Sequence, residues 1–341
     1  MNTFETPESP SKATVQYILL TVWTDNSQHG VGMKIPIPFI LEVCKNPIKW
    51  LLYISQAIVG ASGYIVVDAG GVQSPVNLGS PLVDGAHYVY ISEYSGRADL
   101  PILPVSSTRN TTLLPRKPRD RRSFSLAVRS RDRGCVFSGQ KAYRTHHLIK
   151  GRRNLRSIVP RGLSFVSLDD MRNGLCVSLP LHTFIQQGIA GILCTNDILT
   201  DDDVPQPAHP FKRDIARARQ LIPMRDFPPP PSPQYILQFF ILDNLKRYLY
   251  EREVAALNNT RADFTRGKRQ FPDPAICQYM YGRLVLRIFW DNRNTQWQDL
   301  VLSARGQMSS GDKSCVTDTF ENDAEEYMRF FTRCGRVACS D

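Results

Sequence analysis

Proline sets the limits of what this 341-residue chain can fold into. Pro101, Pro104, Pro115 and Pro118 fall within residues 94–122, and Pro205, Pro207, Pro210, Pro228–Pro231 and Pro233 fall within residues 201–233. Each proline fixes φ and lacks an N–H, so neither stretch can run as one continuous helix or as a central strand. Three folded units are therefore predicted, over residues 14–93, 123–200 and 234–341. A basic linker (94–122) and a proline-rich connector (201–233) join them. Residues 1–13 are polar, carry Pro7 and Pro10, and are expected to be disordered.

The first unit alternates strand and helix signals. Val15–Trp23 is rich in branched and aromatic residues and predicts a strand; Asp25-Asn26-Ser27 supplies a turn. Val31–Ile37 is a second strand, ended by Pro36 and Pro38. Asn46-Pro47 predicts a helix start, with Asn as cap and Pro at the first helical position. Ile48, Leu51, Leu52, Ser55, Ile58 and Val59 then share one face, and Gly60 suits the helix end. Tyr64–Val67, a Gly70-Gly71 turn and His87–Ile91 complete the pattern. This order resembles the β-grasp, ubiquitin-like arrangement, with Leu82, Gly85 and Tyr88 as its closing segment. The resemblance implies an α+β fold and a module able to take a protein partner. His87 is expected to be solvent-facing or packed. Trp50–Val67 is 18 residues without a charge, the minimum for a membrane span. Ser55, Gln56, Gly60, Ser62 and Gly63 break it into helix and strand, so no membrane helix is expected.

Charge is concentrated. The formal net charge is +10, yet residues 116–161 alone hold fifteen Lys/Arg against two acids, Asp120 and Asp132. A polyanionic partner is implied. The run Arg116–Arg122 suits phosphate contacts or a nuclear address, and equally a solvated, flexible connector. Eight cysteines are scattered without a Cys-x-x-Cys pair, so a zinc ribbon is not expected. They suit reduced thiols of an intracellular protein.

The basic segment runs into the chain's main chemical motif. Cys135-Val136-Phe137-Ser138-Gly139 precedes Thr145-His146-His147-Leu148-Ile149; Asn173-Gly174-Leu175 and Leu181-His182 come after. Histidine, with an unperturbed pKa near neutrality, suits deprotonation of a water. These residues resemble the HNH endonuclease family, in particular the subgroup of HNH domains in many uncharacterised fungal proteins. The resemblance covers Arg131–Leu193 and implies a ββα-metal finger cutting phosphodiesters. By that resemblance His147 is the general base, His146 and His182 are metal ligands, and Asn173 braces the loop between the strands and orients His147. Gln186, four residues after His182, occupies the place where the family has Asp, His or Asn. It is a neutral and weaker ligand. The metal is left open among Mg²⁺, Mn²⁺, Zn²⁺ and Ni²⁺. Arg144, Lys150, Arg152, Arg153 and Arg156 are expected to contact the nucleic-acid backbone. Lys150 replaces the family's usual proline, and Ile185 its usual phenylalanine. Neighbours on a regular strand face opposite ways, so His146 and His147 can serve one site only at a strand end or bulge. Asp169 and Asp170 are read as a turn, and Cys135 and Cys176 as small core residues.

A short helix is predicted over Ser123–Arg133, another over Lys212–Leu221, and a stiff spacer over Pro228–Pro233. The C-terminal unit is predicted helical: Tyr235–Asn258 as a core helix, Gln278–Trp290 with Arg283 and Arg287 on its wet face, and Phe320–Arg333. The sequence thus predicts an α+β protein, with a β-grasp-like domain, a central ββα-metal HNH domain and a helical C-terminal region. It predicts a metal-dependent endonuclease hydrolysing DNA, or alternatively a catalytically weakened HNH-fold protein that binds nucleic acid or acts as a scaffold.

Overall fold

A computed structural model describes residues 15–23, 30–93, 118–149, 167–207, 233–240, 256–264 and 271–290. The expected disorder of 1–13, the helices over 212–221 and 320–333 and the spacer over 228–231 lie outside these residues. The architecture is mixed α+β with a mixed sheet.

That sheet has the order β2-β1-β5-β3-β4. β1 (Tyr17–Trp23) pairs antiparallel with β2 (Gly30–Pro36) and parallel with β5 (His87–Ser92). β3 (Gly63–Ala69) runs antiparallel to β5 and to β4 (Val72–Pro75). Alternation decides the faces: Ile18, Leu20, Val31, Met33 and Ile35 are buried, while Leu19 is exposed. Between β2 and the expected helix lies one that the sequence pattern does not announce, α1 (Ile37–Val43). Pro38 does not merely end a strand; it opens this helix, where a missing N–H costs nothing.

α2 (Pro47–Val59) ends as expected, on Gly60 in the left-handed region (φ 78°). Its start differs from expectation. The Asn46 side chain caps nothing; its amide donates to the Asp203 carboxylate instead. α2 is buried nearly all round because it lies between the sheet and α5 (Pro274–Phe289). Trp50 Nε1 donates to the Tyr281 hydroxyl at 3.1 Å, and the Tyr53 hydroxyl donates to the Cys194 carbonyl at 2.9 Å. A Cβ at Gly282 would come within 2.9 Å of Ala57, so glycine lets the two helices approach. The uncharged run from Trp50 is therefore core helix and strand. No helix among the described residues is long and apolar enough to cross a membrane.

The C-terminal region corrects the expectation from sequence. Tyr235–Asn258 is not one helix: Tyr235–Phe239 is a strand, β9, flanked by β8 (Ala190–Cys194) and β10 (Thr260–Arg261). All five β9 residues are buried, so the run has no period by which to tell strand from helix. Gln238 shows why it holds its place. Its amide donates to Val43 O and to Asn259 Oδ1, and accepts from the Tyr281 hydroxyl at 2.6 Å. α5 starts at Pro274, earlier than expected, where the Asp273 carboxylate accepts from Ala275 N.

The central hairpin, β6 (Tyr143–His147) with β7 (Gly174–Ser178), packs between α3 (Pro118–Asp132) and α4 (Leu179–Gln187). α3 begins at Pro118, so the end of the expected linker is its first turn. β8, placed by the sequence in the central unit, pairs with β9 of the C-terminal one. Residues 201–203 of the expected connector form a 3-10 turn whose Asp203 carboxylate binds Lys49 at 3.0 Å.

Candidate active site

The site is built on the end of one strand. β6 is regular to its last residue, with His146 opposite Leu175 and His147 opposite Gly174. No bulge turns the two rings together. His147, with Thr145, faces α3: its ring stacks on Phe124 at 3.8 Å, and Thr145 meets Ser125 at 2.9 Å. His146 faces α4, where its ring meets that of His182 edge-on at 4.9 Å. Arg144 shares the His146 side by alternation and is exposed. The two histidines therefore stand on opposite sides of a strand that ends at His147.

Asn173 ties down the loop beyond that end. Its side chain is fully buried. The amide donates to Ile149 O and Leu168 O, both at 2.9 Å, and its oxygen accepts from Ile149 N at 2.8 Å. Its own carbonyl accepts from Leu148 N. Both ends of the loop between β6 and β7 are thus tied to one side chain. These bonds act on the backbone two residues past His147 and not on the imidazole.

The residue beside the imidazole is Asp169, whose Oδ1 lies 3.6 Å from His147 Nε2. The sequence marks Asp169 as part of a turn, and it is in one: Asp170 caps the short 3-10 turn Met171–Asn173. Arg172 holds the Asp170 carboxyl below its ordinary value. Nothing in the sequence separates the roles of these adjacent aspartates; the fold does.

α3 is locked to the hairpin by a buried ion pair that no sequence motif signals. Arg131 binds Asp132 through Nε (2.5 Å) and Nη2 (3.1 Å), and reaches Met171 O and Gly174 O. Asp132 in turn accepts from Cys176 N at 2.7 Å. Burial pushes the Asp132 carboxyl up, while Arg131 and the Cys176 amide pull it back. Burial, with Asp132 nearby, pushes the Cys176 thiol up to about 12, so it is no nucleophile. Cys135 is buried too, its sulfur accepting from Ser138 N in the Cys-Val-Phe-Ser turn. Gly174 explains the Asn-Gly pair: a Cβ there would lie 2.4 Å from the Phe124 ring that carries His147.

His146, His182 and Gln186 are the residues on this face that could hold a cation taking nitrogen ligands. The two imidazoles meet edge-on, and Gln186 lies one turn beyond His182 on α4 and is exposed. Among the described residues no three His, Cys, Asp or Glu side chains gather as a metal cage; the third place on this face belongs to glutamine. Lys150, Arg152, Arg153 and Arg156 lie outside the described residues. A second polar row occupies the N-terminal sheet: His87 Nε2 meets the Thr21 hydroxyl at 2.9 Å, and its Nδ1 lies 3.7 Å from Asp68. In comparisons with known proteins, no family model, no curated protein and no solved structure matches the chain.

Proposed function

We propose that the hairpin and helix from Tyr143 to Gln187 form the centre of a metal-dependent HNH endonuclease that hydrolyses DNA phosphodiester bonds. The observation that carries this reading is the three-bonded, buried Asn173, which pins the loop after His147. It leaves both histidines at a strand end, with His182 supplied by the next helix. A phosphodiester lying across that end meets His147 on one side and the His146–His182 pair on the other. His147 takes the proton from a water whose oxygen attacks phosphorus, and the bond to the leaving oxygen breaks. Asp169 is placed to stabilise the imidazolium that forms. A divalent ion held by His146, His182 and Gln186 would supply Lewis-acid stabilisation of the phosphate charge. Arg144, with Lys150, Arg152, Arg153 and Arg156, serves the backbone of the nucleic acid, and the run Arg116–Arg122 fits a nuclear address. For residues 14–93, the strand order with β1 and β5 parallel at the centre supports a β-grasp module that carries a protein partner.

The test is plasmid nicking by the full chain with Mg²⁺, Mn²⁺, Zn²⁺ or Ni²⁺. Wild type nicks with at least one metal and His147→Ala falls by a factor of about 10² or more. Equal activity in the two chains, or none with any metal, rejects the reading. Gln186 favours a second reading, a weakened site that binds DNA without cutting. That reading expects steeply salt-dependent binding and cleavage gained by Gln186→Asp.

A further inference from the structure

α3 shows solvent a basic stripe that the histidine site does not use. Arg122, Leu126 and Arg129 follow at i, i+4 and i+7, so they share one side of the helix, and all three are exposed. Phe124, Val128, Arg131 and Asp132 are buried against the hairpin. Arg133, one residue past the helix, follows the stripe and is exposed too. Arg129 leans over the Tyr143 ring at 6.0 Å; none of the three guanidiniums has a hydrogen bond or ion pair among the described residues. The only carboxylate among the described side chains of α3, Asp132, is buried and bound to Arg131. Arg133 also occupies the left-handed region (φ 56°), where a residue ending a helix is usually glycine. A long cationic side chain held there is an outlier that a ligand would explain.

Two contacts orient the stripe. Phe124 stacks on His147 at the end of β6, and Arg129 reaches Tyr143 at its start, so α3 runs antiparallel to β6. Arg122 therefore lies toward the strand end that carries His147. At about 1.5 Å per residue, Arg122 to Arg133 spans roughly 16 Å. Phosphates of one DNA strand recur about every 3.4 Å along the duplex axis, so the row can follow several of them. A membrane-bound helix needs its apolar face free, and that of α3 is occupied by the hairpin. A protein interface centres on a buried apolar core, and this face offers Leu126 alone. A phosphate backbone asks for guanidiniums without acids between them.

We propose that the outer face of α3 docks duplex DNA, with Arg122, Arg129 and Arg133 on phosphates of one strand, leading that strand toward His147. That this DNA is the substrate cut rests on the endonuclease reading; the docking itself does not. Contacts to phosphates alone fix position and carry no sequence preference.

The experiment is fluorescence anisotropy of the full chain with a fluorescein-labelled DNA duplex, in EDTA so that nothing is cut, over a series of salt concentrations. The triple variant Arg122→Gln/Arg129→Gln/Arg133→Gln loses about tenfold or more in affinity. Its log–log salt slope falls by about 2–3, close to one for each phosphate contact removed. Lys34→Gln, a charge removed from the exposed face of β2, changes neither. Arg133→Gly separates binding from folding: the left-handed residue is relieved, so the thermal midpoint holds or rises while the salt slope falls by about 1. Plasmid nicking is scored apart. A chain that binds through α3 and never nicks ends the endonuclease reading and leaves the docking intact. No binding of the duplex, wild-type affinity and slope in the triple variant, an equal loss in Lys34→Gln, or polyglutamate or phosphatidylserine vesicles bound as tightly as DNA overturns the proposal.

Discussion

Replacing Asn173 tests the site at its structural root. Asn173→Ala strands Ile149 N–H, Ile149 C=O and Leu168 C=O, three groups now satisfied by one buried amide. An unpaired buried polar group costs roughly 1–3 kcal/mol. Water entering the vacated space relieves part of that, so the expected loss is about 3–5 kcal/mol, a large share of a typical 5–15 kcal/mol. Asn173→Asp sharpens the argument because shape is kept. The carboxylate still accepts from Ile149 N but faces two carbonyls, so it folds best when protonated and able to donate. Its folded pKa is then above its unfolded value of about 4. A raised pKa means the native state holds the extra proton, so stability is greatest below the unfolded pKa. It is lost as pH rises through the folded one. Urea unfolding of the three chains between pH 4 and 8 measures this. Wild type and Asn173→Ala run parallel, whereas Asn173→Asp approaches wild type at the acid end and falls away above it. A cost under about 1 kcal/mol for Asn173→Ala, or an Asn173→Asp profile parallel to wild type, refutes the bracing role.

Three further outcomes rest on the same geometry. Gly174→Ala drives a methyl into Phe124, costing about 1–3 kcal/mol and slowing nicking as the His147 ring loses its seat; adding Phe124→Leu restores part of the stability in a denaturant titration. Arg131→Ala leaves the buried Asp132 carboxylate without its guanidinium and costs about 3–5 kcal/mol, part of which Asp132→Asn recovers in the double variant. Burial pushes the Asp203 carboxyl up, but Thr200 N–H, the Asn46 amide and Lys49 together hold it below its ordinary value. Its stabilisation is therefore present above the unfolded carboxylate pKa and is lost as pH falls through the lower folded one. Asp203→Asn lowers the thermal midpoint near pH 7 and flattens its decline in acid, read by melting between pH 2 and 7.

What the sequence made legible was periodic or chemically punctuated. β1 is rich in branched and aromatic residues, β2 runs into Pro36, α2 is bounded by Asn46-Pro47 and Gly60, and the ordered His-His, Asn-Gly and His located the hairpin and its helix. The misreadings share a physical cause. Tyr235–Phe239 is buried on every side, and a run with no polar face has no period. Pro38 has two meanings, strand end and helix start, and only the packing of α1 selects one. Asn46 has the right type and position for a cap, yet Asp203, 157 residues away, outcompetes the local bond. Asp169, Phe124 and the Arg131–Asp132 pair gain their roles from contacts between elements, which spacing along the chain does not encode.

The shared core has a consequence for how the site must be tested. A two-stranded hairpin is marginal by itself, and β6–β7 has only five residues in each strand. Its support on one side is α3, through Arg131–Asp132. On the other it is α4, which leans on β8, and β8 depends on the C-terminal region: its five residues are all buried, it hydrogen-bonds β9 along its length, and Gly191 lies under Leu284 of α5. Cutting the chain after the central unit opens β8 to solvent on the edge where β9 pairs and on the face where α5 packs. An unpaired apolar edge of that kind associates instead of folding. A fragment of residues 118–207 is therefore expected to melt without a cooperative transition and to self-associate in sedimentation, while the full chain unfolds cooperatively. A fragment that melts cooperatively near the full chain's midpoint would show that the hairpin needs no support from β9 and α5.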